Sequence, residues 1–177
     1  MRKANHKEER MSVSPIRIYG DPVLRTRAEE ITCVDERIKR LAGEMVHALK
    51  AASGMGLAAN QVGQAVRLFV VDRSLFRAED SPLIVINPQV VAVHGEQVQE
   101  EGCLSFPGTF ADVTRPLKMQ VRGIDLDEKE LVIEADGLLS RVLAHEIDHL
   151  NGILFIDHLS SIKRKLLSRK LKKLSAG

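Results

Sequence analysis

The chain has 177 residues and a mass of 19.7 kDa, enough for one sizeable core and too little for two. Apolar residues make up 44% and charged residues 28%, which excludes a disordered chain, and 26 Lys and Arg against 24 Asp and Glu leave a formal charge of +2, too small for binding nucleic acid with the whole surface. No apolar run approaches the roughly 18 residues of a membrane span, and two cysteines, Cys33 and Cys103, are too few for a disulfide scaffold. The expected setting is the reducing cytoplasm, with neither membrane nor DNA as a partner.

Residues 1–11 (MRKANHKEERM) are charged, lack the apolar stretch of a secretory signal and read as a disordered extension, with Met11 as an alternative start. Residues 12–177 then read as a single domain. A helix is predicted from Asp35, a candidate N-cap, to Ala52, with Ile38, Leu41, Met45, Val46 and Leu49 at helical spacing and Gly54 and Gly56 beyond its end. Arg67–Asp72 and Leu83–Asn87 are apolar runs that read as buried strands. Gln89–His94, Leu117–Asp125 and Lys129–Ala135 alternate as half-exposed strands do, the last two joined by a turn at Asp127-Glu128. A helix from about Asp136 to Asn151 is stopped by Gly152, and a basic helix spans Ser160–Leu174. Strands in a block between helices predict an α+β fold, with antiparallel or mixed sheets packed around the helix at 136–151.

That helix contains His145-Glu146-Ile147-Asp148-His149. Positions i and i+4 share a helix face, so both imidazoles can reach one metal ion while Glu146 handles a proton on bound water. On a helical wheel Leu138, Val142 and the two histidines share a face, Leu139, Leu143, Ile147 and Leu150 fill the next arc, and only Ser140, Arg141, Ala144, Asp148 and Asn151 form a polar or small arc. The helix must therefore be largely buried, and two buried histidines and a glutamate need partners, which a metal would supply.

A catalytic site of this kind needs a third protein ligand. Six residues past His149 stands Phe155, His158 is out of register and Asp157 is too close, so the ligand should come from upstream. Cys103, in Glu101-Gly102-Cys103-Leu104-Ser105, is the candidate, since a thiolate is a strong ligand for zinc or ferrous iron and Gly102 lets the backbone approach closely. Cys33 reads as an ordinary buried core thiol. In Gly54-Met55-Gly56-Leu57-Ala58-Ala59-Asn60-Gln61 the side chains have little bulk, so another chain can run alongside, and Gln61 offers a donor and an acceptor at its end.

Together GMGLAANQ, EGCLS and HEIDH resemble the three signature segments of the peptide deformylases, in that family's order, and the resemblance runs from about Ile16 to the last helix. It implies a metal-dependent hydrolase that removes the formyl group from the N-terminal formyl-methionine of newly made proteins. By this resemblance Cys103, His145 and His149 match the metal ligands and Glu146 the general acid/base. Gln61 and the backbone N–H of Leu104 match the groups that hold the reacting oxygen, and Gly56 and Leu57 the segment along which substrate lies. The resemblance implies one divalent metal per chain, Fe²⁺ in the cell, with Zn²⁺, Ni²⁺ or Co²⁺ able to replace it. Ala144 departs from the family's usual glutamine, on the arc of the wheel away from the metal.

The implied chemistry is attack of metal-activated water on the formyl carbon, with Glu146 passing the proton to the leaving amine. Leu138 and Val142, with Met55 nearby, are the candidate walls of an apolar pocket for the methionine side chain. A metallopeptidase of other specificity, a structural metal protein with four ligands and a metal-free peptide-binding relative are the alternatives, separable by metal analysis and by assays on formylated and unformylated peptides. In the last helix Leu159, Ile162, Leu166 and Leu174 predict the docking stripe. Its seven basic residues, by the resemblance, suit docking to the ribosome, and its removal after Leu159 is expected to spare hydrolysis of short peptides.

Overall fold

The fold is seen in a computed structural model that describes residues 15–75 and 81–176; the extension expected over residues 1–11 lies outside the described residues. Helix α1 (Glu36–Ala51) is followed by strands β1 (Gly56–Ala58), β2 (Leu68–Val71), β3 (Leu83–Gly102), β4 (Phe110–Ile124) and β5 (Glu130–Asp136), then by helices α2 (Gly137–Leu150) and α3 (Ser161–Ser175). The strands form one antiparallel sheet in sequence order, β1 to β5. The fold is α+β, as expected.

The two inner helices explain the apolar runs. Asp35 caps α1 by accepting a hydrogen bond from the Ile38 N–H at 2.9 Å. The buried stripe of α1, from Ile38 to Leu49, packs with Leu57, Leu68, Val70 and Ile86. Helix α2 packs Val142, Leu143, Ile147 and Leu150 with Phe69, Val71, Val85, Met119 and Val121. Successive residues of β2 thus go to opposite helices, and all four of its side chains are buried. A strand covered on both faces reads as a continuous apolar run, not as alternation.

β3 is longer than the sequence predicts. The expected strands Leu83–Asn87 and Gln89–His94 are one, joined through a register shift between Ile86 and Gln89 around Pro88, whose missing N–H suits a break in the ladder. It continues through the polar segment up to Gly102, and β4 starts at Phe110 to match, so a long hairpin delivers Glu101 to the side of α2, against Arg141 and His145.

Two expectations are corrected. Cys33 is exposed, outside any core cluster. Ala144, away from the histidine face as expected, is buried with Phe69 and Val71 against the sheet, and Ser140 and Arg141 on the same arc are buried with partners of their own. Helix α3 docks through Leu167, Leu171 and Leu174 onto Leu24, Phe106, Val113 and Phe155, whereas Ile162 and Leu166 are 74% and 80% exposed. Leu159 is buried in that same cluster just before the helix.

Candidate active site

Cys103 follows the end of β3, and His145 and His149 lie one turn apart on α2. Cys103 Sγ stands 3.2 Å from His149 Nε2, which stands 3.2 Å from His145 Nε2. The three potential ligand atoms all lie within 4.8 Å of one another. Ligands at about 2.0–2.3 Å from a shared tetrahedral ion lie roughly 3.3–3.7 Å apart, so this set fits a divalent metal in both spacing and chemistry. The rings meet edge to face, with centroids 4.8 Å apart.

Burial opposes charge on both rings. At His145 hydrogen bonds to Cys103 and Glu101 outweigh it and push the pKa well above the ordinary histidine value. At His149 burial and the neighbouring His145 push it well below. The His145 Nδ1 lies 2.6 Å from Glu101 Oε1, which fixes its Nε2 as the free ligand atom, whereas the His149 Nδ1 is buried with no partner among the described residues.

Glu146 is buried beside them, and desolvation pushes its carboxyl up to about 7. One of its oxygens is buried without a hydrogen-bond partner. The other lies against Gly56, where a Cβ would meet Glu146 Oε1 and displace the carboxylate. Gln61 is turned into place by two bonds: its Oε1 accepts from the Ala58 N–H at 2.9 Å and its Nε2 donates to Ser105 Oγ at 3.2 Å. The same Nε2 is 3.5 Å from Cys103 Sγ. A cavity of about 590 Å³ opens over these groups, with Met55, Gly56, Leu138 and Val142 among its walls.

The family model for polypeptide deformylase matches residues 13–165. The chain belongs to the peptide deformylase family. The peptide deformylase of Syntrophobacter fumaroxidans is 46% identical over 163 residues, covering 92% of this chain and 96% of that one. That of Agrobacterium fabrum is 43% identical over 164 residues, covering 92% and 96%. The crystal structure of a peptide deformylase from Legionella pneumophila matches with a TM-score of 0.85 at 40% identity, over 92% of this chain and 95% of that chain. The peptide deformylase of Thermus thermophilus matches with a TM-score of 0.85 at 38% identity, over 93% and 98%. The chain is therefore a deformylase, a hydrolase with a metal-binding site.

Within this deformylase fold, all of the site residues singled out from the sequence except His149 and Leu57 line the cavity; His149 is buried behind it, against Cys103 and His145. Cys103, Leu104, Gly102, Gln61, His145 and Glu146 line or floor the cavity, and Met55 and Leu138, each 42% exposed, form its rim. Leu57 points elsewhere: β1 alternates, so Gly56 faces the cavity while the Leu57 side chain is fully buried among α1 residues.

The sequence reading missed the groups behind the ligands. Glu101 is held by Arg115 through Nη2 at 2.7 Å and Nε at 3.1 Å, and by Arg141 Nη1 at 2.8 Å. Burial works against the Glu101 carboxylate, but hydrogen bonds from His145 and Arg115 outweigh it and hold its pKa far below the usual range. A glutamate immediately before the glycine and cysteine of a metal motif was the available signal. Nothing local pointed to Arg115.

Proposed function

We propose that this deformylase hydrolyses the formyl group of N-formyl-methionyl nascent peptides, with residues 12–177 acting as one catalytic domain in the cytoplasm and Fe²⁺ as the cellular metal. The observation that carries this reading is the convergence of Cys103, His145 and His149 beside an apolar-walled cavity that Cys103, His145 and the Glu146 carboxyl line. A divalent ion held there would supply a Lewis acid and an activated water. A soft thiolate ligand suits ferrous iron as well as zinc.

The chain's own residues supply the rest. Glu146, with a pKa near 7, can take a proton from water and give it to the leaving amine nitrogen at neutral pH. The Gln61 amide, held beside the thiolate, and the Leu104 N–H serve as donors to the developing oxyanion. β1 is an edge strand with β2 as its sole strand neighbour among the described residues, so its outer edge suits antiparallel addition of the peptide backbone past Gly56. Leu138, Val142 and Met55 then offer apolar surface to the methionine side chain.

The direct test is deformylation of a formyl-Met peptide by protein purified without oxygen, with metal content measured on the same sample. Stoichiometric metal without activity would overturn the substrate assignment, and activity without metal would overturn the mechanism. The peptide deformylase of Ehrlichia chaffeensis, 38% identical with a TM-score of 0.84, is solved in complex with actinonin, and competition by actinonin offers a second test of the same cavity.

The partner surface is α3, whose Lys165, Arg169, Lys172 and Lys173 have no ion-pair partner among the described residues, while Lys163 lies 3.8 Å from Asp112 and Lys170 reaches the Gly108 carbonyl. Free cations in a row suit ribosomal RNA phosphates. Replacing these four by Gln should weaken co-sedimentation with ribosomes at low salt while leaving peptide hydrolysis unchanged. Equal pelleting at every salt concentration would leave α3 a structural cap. Substitution is preferable to truncation, because Leu167, Leu171 and Leu174 cover the core cluster on which Cys103 packs.

A further inference from the structure

His158 is excluded as a metal ligand by its register in the sequence, yet it joins the site by another route. The short turn Phe155–His158 follows α2 and brings the ring back beside it. His158 Nε2 lies 2.7 Å from Asp148 Oδ2 and 3.2 Å from Arg115 Nη1. Arg115 Nη1 donates to the same Asp148 oxygen. An Nε2–H donating to Asp148 satisfies both groups, since one nitrogen cannot at once donate to the carboxylate and accept from the guanidinium.

From Arg115 the chain of contacts runs inward. Its remaining nitrogens grip both oxygens of Glu101, and Glu101 in turn holds His145 Nδ1. Side-chain exposure falls along this line, from 35% at His158 through 17% at Asp148 to 3% at Arg115 and 5% at Glu101. A partly exposed imidazole is thus tied, through two ion pairs, to the ring of a metal ligand. Guanidinium geometry is planar and fixed, so the direction in which Asp148 pulls one edge of Arg115 determines how the other edge meets Glu101.

We infer that His158 is a positioning residue for the metal site: by fixing Asp148 it sets the angle at which Arg115 presents Glu101 to His145, and so governs how long the metal is held. The inference rests on Cys103, His145 and His149 being the ligands. Losing a direct outer partner of a metal-bound histidine typically costs about 10–100-fold in affinity; three links further out, an effect of about threefold to tenfold is expected on the same scale.

The test loads the full-length protein with Co²⁺ and follows release to excess chelator through the thiolate–cobalt absorption. His158→Ala should release cobalt about threefold to tenfold faster than wild type, with an unchanged melting temperature for the metal-free protein. His158→Gln, whose amide can still donate to Asp148, should restore slow release. In a Glu101→Gln background His158→Ala should add much less, because the Glu101–Arg115 ion pair that carries the coupling is gone. Equal release from wild type and His158→Ala would overturn the inference. So would a full effect persisting in the Glu101→Gln background, which would mean a merely structural role. Failure of the wild type to bind cobalt would instead overturn the ligand assignment itself.

Discussion

Glu146 is costly to the fold in the same measure as it is useful to the chemistry. Its pKa lies at about 7 in the folded protein against 4.5 for the ordinary group. A carboxyl with a raised pKa contributes stability that is present below about pH 4.5 and lost as the pH climbs through 7. Glu146→Gln should therefore stabilise the metal-free protein at pH 8 by about 3 kcal/mol and leave it unchanged at pH 4. Denaturant midpoints at the two pH values check this; a variant equally stable to wild type at both would contradict the burial argument. The same variant should retain its metal and lose nearly all turnover, and near-normal turnover would refute the proton-transfer role.

Gly56 is the second residue whose substitution separates chemistry from folding. An alanine Cβ there would overlap Glu146 Oε1, so the carboxylate must move by about an ångström to restore van der Waals contact. A misplacement of that size can cost about 100-fold in rate. Gly56→Ala is expected to show such a fall in kcat with metal content unchanged, measured on one preparation. A wild-type kcat would show that Glu146 tolerates the shift.

At the scale of elements, α3 gives the sharpest contrast. Leu171 is 7% exposed and Leu166 is 80% exposed, on one short helix. Leu171→Ala should destabilise by about 2–3 kcal/mol, as truncation of a buried leucine does, while Leu166→Ala should stay within about 0.5 kcal/mol of wild type. Thermal melting of the two variants decides; equal shifts would mean that the helix docks on the other stripe.

This contrast also shows where the sequence was readable. In α1 the apolar stripe is interrupted by charges, so its phase was unambiguous, and in α2 the near absence of a polar face already required burial. In α3 Leu166 and Leu167 are adjacent, and the pattern admits two stripes; tertiary packing chose the second. The outer half of β3, His94-Gly95-Glu96-Gln97, carries no apolar alternation because it is held to β4 by backbone pairing. β1 has three residues, too few for any period. The candidate ligands, Glu146 and Gln61 were legible because their motifs are local. Glu101, Arg115 and Asp148 were not, since Glu101 and Arg115 stand 14 residues apart and Arg115 and Asp148 33 apart; the β3–β4 hairpin brings the first two together and the packing of α2 against β4 adds Asp148.

Over the whole molecule the small net charge hides a strong polarity. Helix α3 holds seven of the 26 Lys and Arg and none of the 24 Asp and Glu, so the remainder of the chain is net −5. An even surface would give no preferred orientation, whereas this one turns α3 toward any polyanion at a distance of about a Debye length, roughly 8–10 Å at physiological salt.

The strand β2 has a consequence for how the protein opens. Its backbone is paired on both sides, by β1 and β3, while α1 and α2 seal its two faces. Amides enclosed in this way exchange with solvent only when the two helices separate from the sheet together, an opening that approaches complete unfolding. Hydrogen exchange should therefore find Phe69 and Val70 among the slowest amides. Amides of the β3–β4 hairpin around Gly95 should exchange by local fraying orders of magnitude sooner. The candidate metal ligands His145 and His149 sit on one of the two sealing helices, so metal binding should slow the exchange of β2, a strand that contributes no atom to the candidate site.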